Sequence, residues 1–162
     1  MTSHKLLVSI LLKPMVLADA VAQYVCKLGE WKISNLELQK LLYIINLLHV
    51  GLKGDRLIVE DFEAWDYGPV VRSIYDKCKK FGGDNIWKAT FDDVCEGELT
   101  DEDKEFIEHY FKQLKDKTPA ELIGITHRSN GGWAKNYVPR ANIVIPQQDI
   151  LEEFNKYYRN DQ

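Results

Sequence analysis

The chain has 162 residues, 45% of them apolar, with 21 Lys and Arg against 25 Asp and Glu, a net charge of −4. That supports one good core and nothing that suggests a second domain, and the acidic balance is not the footprint of a typical nucleic-acid binder. Its cysteines, Cys26, Cys78 and Cys95, are odd in number and widely spaced, which excludes a disulfide framework or CxxC metal site and fits a reducing, cytoplasmic setting.

Residues 1–14 hold a short apolar run from His4 to Lys13 that sketches a signal peptide. Lys13-Pro14 ends it abruptly and nothing downstream has a secreted character. The stretch reads as an N-terminal extension, with Met15 as a candidate start and the domain proper covering 15–160. A first helix is expected from about Leu17 to Leu28, with Leu17, Val21, Tyr24, Val25 and Leu28 on one face and Gly29 as its stop. Ile33 precedes the next helix as a hydrophobic staple would.

Ser34 and Glu37 form the capping-box spacing for a second helix, Leu36 to Leu52. Only Glu37, Gln39, Lys40, Asn46 and His49 are strongly polar in it, so it must be covered on most sides. It is too short and too interrupted to span a bilayer. This is the expected central core helix, ending near Gly51 and Gly54.

Phe62 to Val70 is an aromatic extended segment, and Gly68-Pro69 marks the opening of a new helix at Pro69, carried on by Val71, Ile74, Tyr75 and Cys78. Cys78 reads as a small core residue. Lys77, Lys79, Lys80 and Lys88 read as a solvated face rather than a DNA-binding module, so nucleic acid is not an expected partner. Gly82-Gly83-Asp84-Asn85 breaks the chain. Residues 86–99 read as an irregular excursion with short strands, open to variation or partner contact.

Thr100-Asp-Glu-Asp103 is a second capping signal rather than a metal cluster, and Phe106, Ile107, Tyr110, Phe111 and Leu114 form the face behind it. Thr118, Pro119 and Glu121 open a further capped helix that runs to Thr126-His127. Arg128 to Trp133 is a loop, Ala134 to Tyr137 a helical turn, and Ile143 to Ile145 a short strand or an extended docking segment. Pro146 opens a last helix with Ile150, Leu151 and Phe154 inward. The expected fold is a mainly α, compact single-domain bundle of five or six helices around a buried central helix, with minor extended segments.

Leu38-Gln-Lys-Leu-Leu-Tyr43, then Phe62-Glu-Ala-Trp65 and Gly68-Pro69-Val70 with Val71 and Tyr75, resembles the signature of the Panacea domain found in SocA-like antitoxins and many phage-associated proteins. A second block, Thr126-His127 with Trp133, resembles the family's Thr-His element followed by a Trp. The chain has Gly132-Trp133 where Pro-Trp is expected. The resemblance covers roughly Val16 to Tyr158. It implies an antitoxin that neutralises a cognate toxin, usually encoded by the adjacent gene, by direct contact. In the SocA branch it further implies an adaptor that delivers the toxin to the ClpXP protease.

Two readings of the residues stand beside this. Trp65, Tyr67 and Trp133 suit core packing with satisfied polar tips. They equally suit a recognition surface in which Glu63, Trp65, Asp66, Tyr67, Gly68 and Pro69 join Thr126, His127 and Trp133. His127 suits a helix C-terminus, where its ring meets the last free carbonyls. It could also join Asp66 in a small hydrolase, although no Gly-x-Ser-x-Gly, phosphate loop or His-Glu-x-x-His anchors an enzyme, a cofactor or a metal. A phage or mobile-element accessory protein with another partner is the remaining alternative.

Overall fold

The computed structural model describes residues 15–95 and 97–161; the readings made for residues 1–14 lie outside them. The helices are α1 (Ala18–Leu28), α2 (Asn35–Lys53), α3 (Arg72–Cys78), α4 (Asp101–Leu114), α5 (Pro119–Thr126), α6 (Gly132–Asn136) and α7 (Gln147–Tyr157). Three short strands accompany them, β1 (Glu63–Trp65), β2 (Gly68–Val70) and β3 (Ile143–Val144). The fold is mainly α. Among the described residues the helices number seven rather than five or six, the addition being the one-turn α6, which starts at Gly132.

α2 is the centre, packed against α7, α5, α4, α1, α3 and β2. Its capping box forms as the spacing predicts, with Ser34 Oγ accepting from the Glu37 N–H and the Glu37 carboxylate accepting from Ser34. Two more boxes, Thr100 with Asp103 and Thr118 with Glu121, start α4 and α5 in the same way. Gly54 closes α2 in the left-handed conformation at φ +84°. Gly51 does not end the helix. It lies inside it because the Phe154 ring of α7 sits where a side chain would be: a Cβ there would meet Phe154 Cγ at 2.0 Å.

The expected face of α1 is shifted. Ala18, Ala20, Val21, Ala22, Val25 and Cys26 are the buried residues, while Leu17 is half exposed, and Tyr24 and Leu28 only border the core. Alanines let α1 approach α2 closely, so the small residues point inward. Pro69 does not open α3 either; it lies in β2, opposite Ala64 of β1. β2 is an edge of the sheet, whose order is β2-β1-β3, and an edge strand tolerates a residue without an N–H. β3, which realises the strand alternative for residues 143–145, pairs antiparallel with β1 from the other side. Residues 86–99 contain no named strand among the described residues; Lys88–Phe91 is a 3₁₀ turn that buries Phe91, and Ile86 is buried beside it. Cys78 is buried, and burial pushes its thiol up to about 11. Among the described residues no helix is long and apolar enough to cross a membrane.

Candidate functional site

β1 and β2 pair as Glu63 with Val70, Ala64 with Pro69 and Trp65 with Gly68, leaving Asp66 and Tyr67 as a two-residue hairpin turn. Gly68 adopts φ +117°, a conformation that glycine alone takes cheaply. The Trp65 ring packs against Tyr75 with centroids 4.7 Å apart, and the Arg72 guanidinium lies 5.2 Å over it. Glu63 holds Arg72 at 2.7 Å and accepts from Trp65 Nε1 at 3.3 Å. Tyr67 is 74% exposed at the tip.

The second block meets this hairpin. Thr126 is buried at the end of α5 with its hydroxyl donating to the Ile123 carbonyl. The His127 ring stacks on Trp133 at 3.7 Å and 11°, and Trp133 stacks in turn on Tyr137 at 4.5 Å. Trp133 Nε1 donates to the Trp65 carbonyl at 2.7 Å. Asp66 accepts from the Tyr137 hydroxyl at 2.9 Å and from the Arg140 N–H at 3.2 Å. The structure therefore brings Glu63 to Pro69 and Thr126 to Trp133 together as one layered unit.

His127 departs from its expected role. Its N–H caps α5, but its ring hydrogen-bonds to the Tyr67 backbone rather than to its own helix end. Burial lowers its pKa, the Tyr67 bond opposes that, and the charge of nearby Lys40 lowers it further. Its Nε2 is buried without a hydrogen-bond partner among the described residues. The hydrogen bonds of Asp66 go to Tyr137 and Arg140, so the acid–base pair that a His127–Asp66 hydrolase requires is not formed here.

The buried polar groups of α2 are spread along its length, with Gln39 and Lys40 at the hairpin. Gln39 accepts from the Val71 N–H at 2.9 Å, which ties α2 to the start of α3. Asn46 accepts from the N–H groups of Leu57 and Ile58 at 3.0 and 3.1 Å, and His49 Nδ1 meets the Asp55 carbonyl at 2.6 Å. Each clamps a loop that would otherwise leave buried backbone groups unpaired. Tyr43 donates to Glu153 of α7 at 2.8 Å, and the same Glu153 oxygen accepts from the Gly132 N–H at 2.7 Å.

Lys40 has no such clamp. It is 1% exposed, and among the described residues its ammonium has no hydrogen bond and no carboxylate partner. Burial alone lowers its pKa to about 8 from the model-compound value of 10.5. The charged form is disfavoured in the folded chain, at a cost of about 3 kcal/mol at pH 7. The cost is complete below pH 8 and disappears as pH rises towards 10.5, so from this group stability rises with pH over that window. Lys40 lines a cavity of about 390 Å³ together with Leu36, Trp65, Tyr67, Tyr75 and Arg140 among others. A larger cavity of about 680 Å³, between α1 and residues 88–99, is lined by no residue of either block.

The sequence reading passed over Lys40, treating it as an interruption of an apolar run. A lysine on the apolar side of a helix that must be covered on most sides was the available signal. Tyr75 was placed on the apolar face of its helix and in the family signature but not in the candidate surface, and nothing local pointed to Arg140.

The profile of the family described as "Antitoxin SocA-like, Panacea domain" matches residues 38–134, from within α2 to just past Trp133. The chain belongs to the SocA-like Panacea family. Both blocks of the Panacea signature fall inside the matched span, the Gly132-Trp133 departure included. Antitoxin SocA of Caulobacter vibrioides (strain NA1000 / CB15N) is 34% identical over 110 residues, which cover 62% of this chain and 58% of that relative. The chain thus spans little more than half the length of the curated Panacea relative it matches. No solved structure matches.

Proposed function

We propose that this protein is an antitoxin that neutralises a cognate toxin by direct protein–protein contact, and that the hairpin Glu63 to Pro69, backed by Thr126, His127 and Trp133, is the contact surface. Family membership supports the antitoxin role. The observation that carries the surface is the Trp133 Nε1 bond to the Trp65 carbonyl, which joins the two signature blocks beneath an exposed Tyr67. A rigid aromatic at the tip of a braced hairpin is the kind of anchor on which interface energy concentrates. The toxin is encoded by the adjacent gene, and delivery of the bound toxin to ClpXP is a separable extension of the same role.

Co-expression with the adjacent gene product, with growth and co-purification followed together, tests this. Wild-type chain restores growth and co-purifies with its partner. Tyr67→Ala changes stability by no more than about 0.5 kcal/mol, because the side chain is exposed, yet weakens the complex by about tenfold or more. Continued growth arrest without a complex would refute the antitoxin reading; full neutralisation by the variant would refute the surface. Faster loss of the toxin when ClpXP is added to the purified complex tests the delivery step.

A further inference from the structure

Of the polar residues that α2 turns inward, Gln39, Asn46 and His49 all bond to backbone groups, and Lys40 alone among these four is left with donors and no acceptor among the described residues. A buried ammonium without a partner is costly and contributes nothing to packing that a methionine would not. Residues held at such a cost are a feature of functional sites.

The surroundings favour an anion. Lys40 and Arg140 supply two positive charges to the cavity. Asp66 is the one carboxylate in its lining, and it is already engaged by Tyr137 and Arg140. The attraction is local, since the chain as a whole carries −4. Part of the remaining lining, Leu36, Trp65, Val70 and Tyr75, is apolar or flat and suits the stem of a side chain, beside the neutral polar groups of Asn35, Gln39 and Asn142. A volume of about 390 Å³ accepts such a group with room to spare. Gly68 lets the hairpin pass close over the end of Lys40: a Cβ there would stand 2.8 Å from Lys40 Nζ and 3.1 Å from His127 Nε2, so any other residue at 68 would displace the ammonium.

We propose that this cavity is a carboxylate-binding pocket and that its occupant is an acidic side chain of the toxin, held by the Lys40 ammonium with its stem against Trp65 and Tyr75. The occupant rests on the antitoxin reading; the pocket does not. The carboxylate replaces the missing acceptor, so binding relieves the burden that Lys40 places on the free protein. It also cancels the field that Lys40 exerts on His127 behind Gly68. The titratable and charged groups around Lys40 are His127 behind Gly68 and, in the cavity lining, Asp66, Tyr67, Tyr75 and Arg140; of these His127 is the one on which the Lys40 charge acts to lower the pKa.

The first arm uses the full chain with isotope-labelled Lys and His side chains, titrated by NMR with 3-phenylpropionate and with acetate, against chloride at equal ionic strength. Saturable upward movement of the Lys40 titration, followed by an upward movement of His127, supports the pocket. No response to either carboxylate at tens of millimolar, or an equal response to chloride, overturns it. The second arm uses Lys40→Met with the adjacent gene product. The expected result is a variant with a higher urea midpoint than wild type that binds the toxin at least tenfold more weakly. Undiminished neutralisation by a folded Lys40→Met overturns the toxin as occupant. Should wild type itself form no complex, the antitoxin reading fails and takes the occupant with it, while the Lys40 response in the first arm still decides the pocket. The first arm needs no variant and so does not depend on Lys40→Met folding.

Discussion

Glu153 is buried on α7 and accepts two hydrogen bonds, from the Tyr43 hydroxyl and the Gly132 N–H. Burial raises its pKa above the usual carboxylate range of 4.5, and the two donors together with nearby Arg128 only partly oppose it. A carboxyl with a raised pKa binds its proton more tightly folded than unfolded. Its contribution therefore favours the native state at low pH and declines as pH rises through the folded value. Relative to Glu153→Gln, which keeps an acceptor oxygen for both donors, wild type is expected to lose urea stability as pH rises above 4.5. Equal pH slopes for the two proteins would show that the carboxyl is not shifted. The same contact explains why a glycine stands at 132. A Cβ there would meet Tyr43 Oη at 2.4 Å and Ile145 Cγ2 at 2.9 Å, and a proline would remove the N–H that Glu153 accepts. Gly132→Ala is expected to cost about 2 kcal/mol in a urea titration.

Between elements, the seat of α7 on α2 depends on Gly51. Replacing a helix-interior glycine by alanine normally gains up to about 1 kcal/mol from propensity. Here the new methyl would fall 2.0 Å from Phe154 Cγ, an overlap that displaces α7 and costs about 1–3 kcal/mol. Gly51→Ala is therefore expected to be destabilising on balance, with a lowered urea midpoint; an unchanged or raised midpoint would mean that α7 shifts freely. Elements whose signals are local were legible in the sequence. The three capping boxes act over three residues, so Ser34, Thr100 and Thr118 marked their helices correctly. Elements decided by distant partners were not. Pro69 reads as a helix opener until β1 claims it for a strand, and the apolar face of α1 reads from its large residues, of which Val21 and Val25 are at zero exposure but Leu17 is not, while Ala18 and Ala22 are fully buried beside them. Gly51 looked like a stop because the ring of Phe154 that occupies its place lies about a hundred residues further on.

Across the whole molecule, α2 touches most other elements, so its loss leaves little that is stable on its own. Unfolding is expected as one cooperative transition, with far-UV circular dichroism and tryptophan fluorescence superimposing in urea; separate midpoints would mean that the hairpin and its backing melt apart from α2. The residues of the candidate site were legible as two signature blocks. Their union was not, because stacking of His127 on Trp133 and of Trp133 on Tyr137 is a matter of tertiary geometry that no spacing encodes. Lys40 was hidden for a related reason: on paper a lysine in a helix can always be turned to water, and only the covering hairpin denies it that exit.

The bond between the blocks is asymmetric in a way that bears on how such sequences drift. Trp133 donates through its side chain, whereas position 65 accepts through its main chain. Any residue at 65 that preserves the strand keeps the acceptor, so what holds the indole there is its packing on Tyr75 and Arg72 and not this bond. Position 133 has no such latitude, since among the common side chains only an indole carries its donor on so broad a ring. Lineages that exchange one partner for another are thus expected to vary at the exposed Tyr67 while 133 stays fixed.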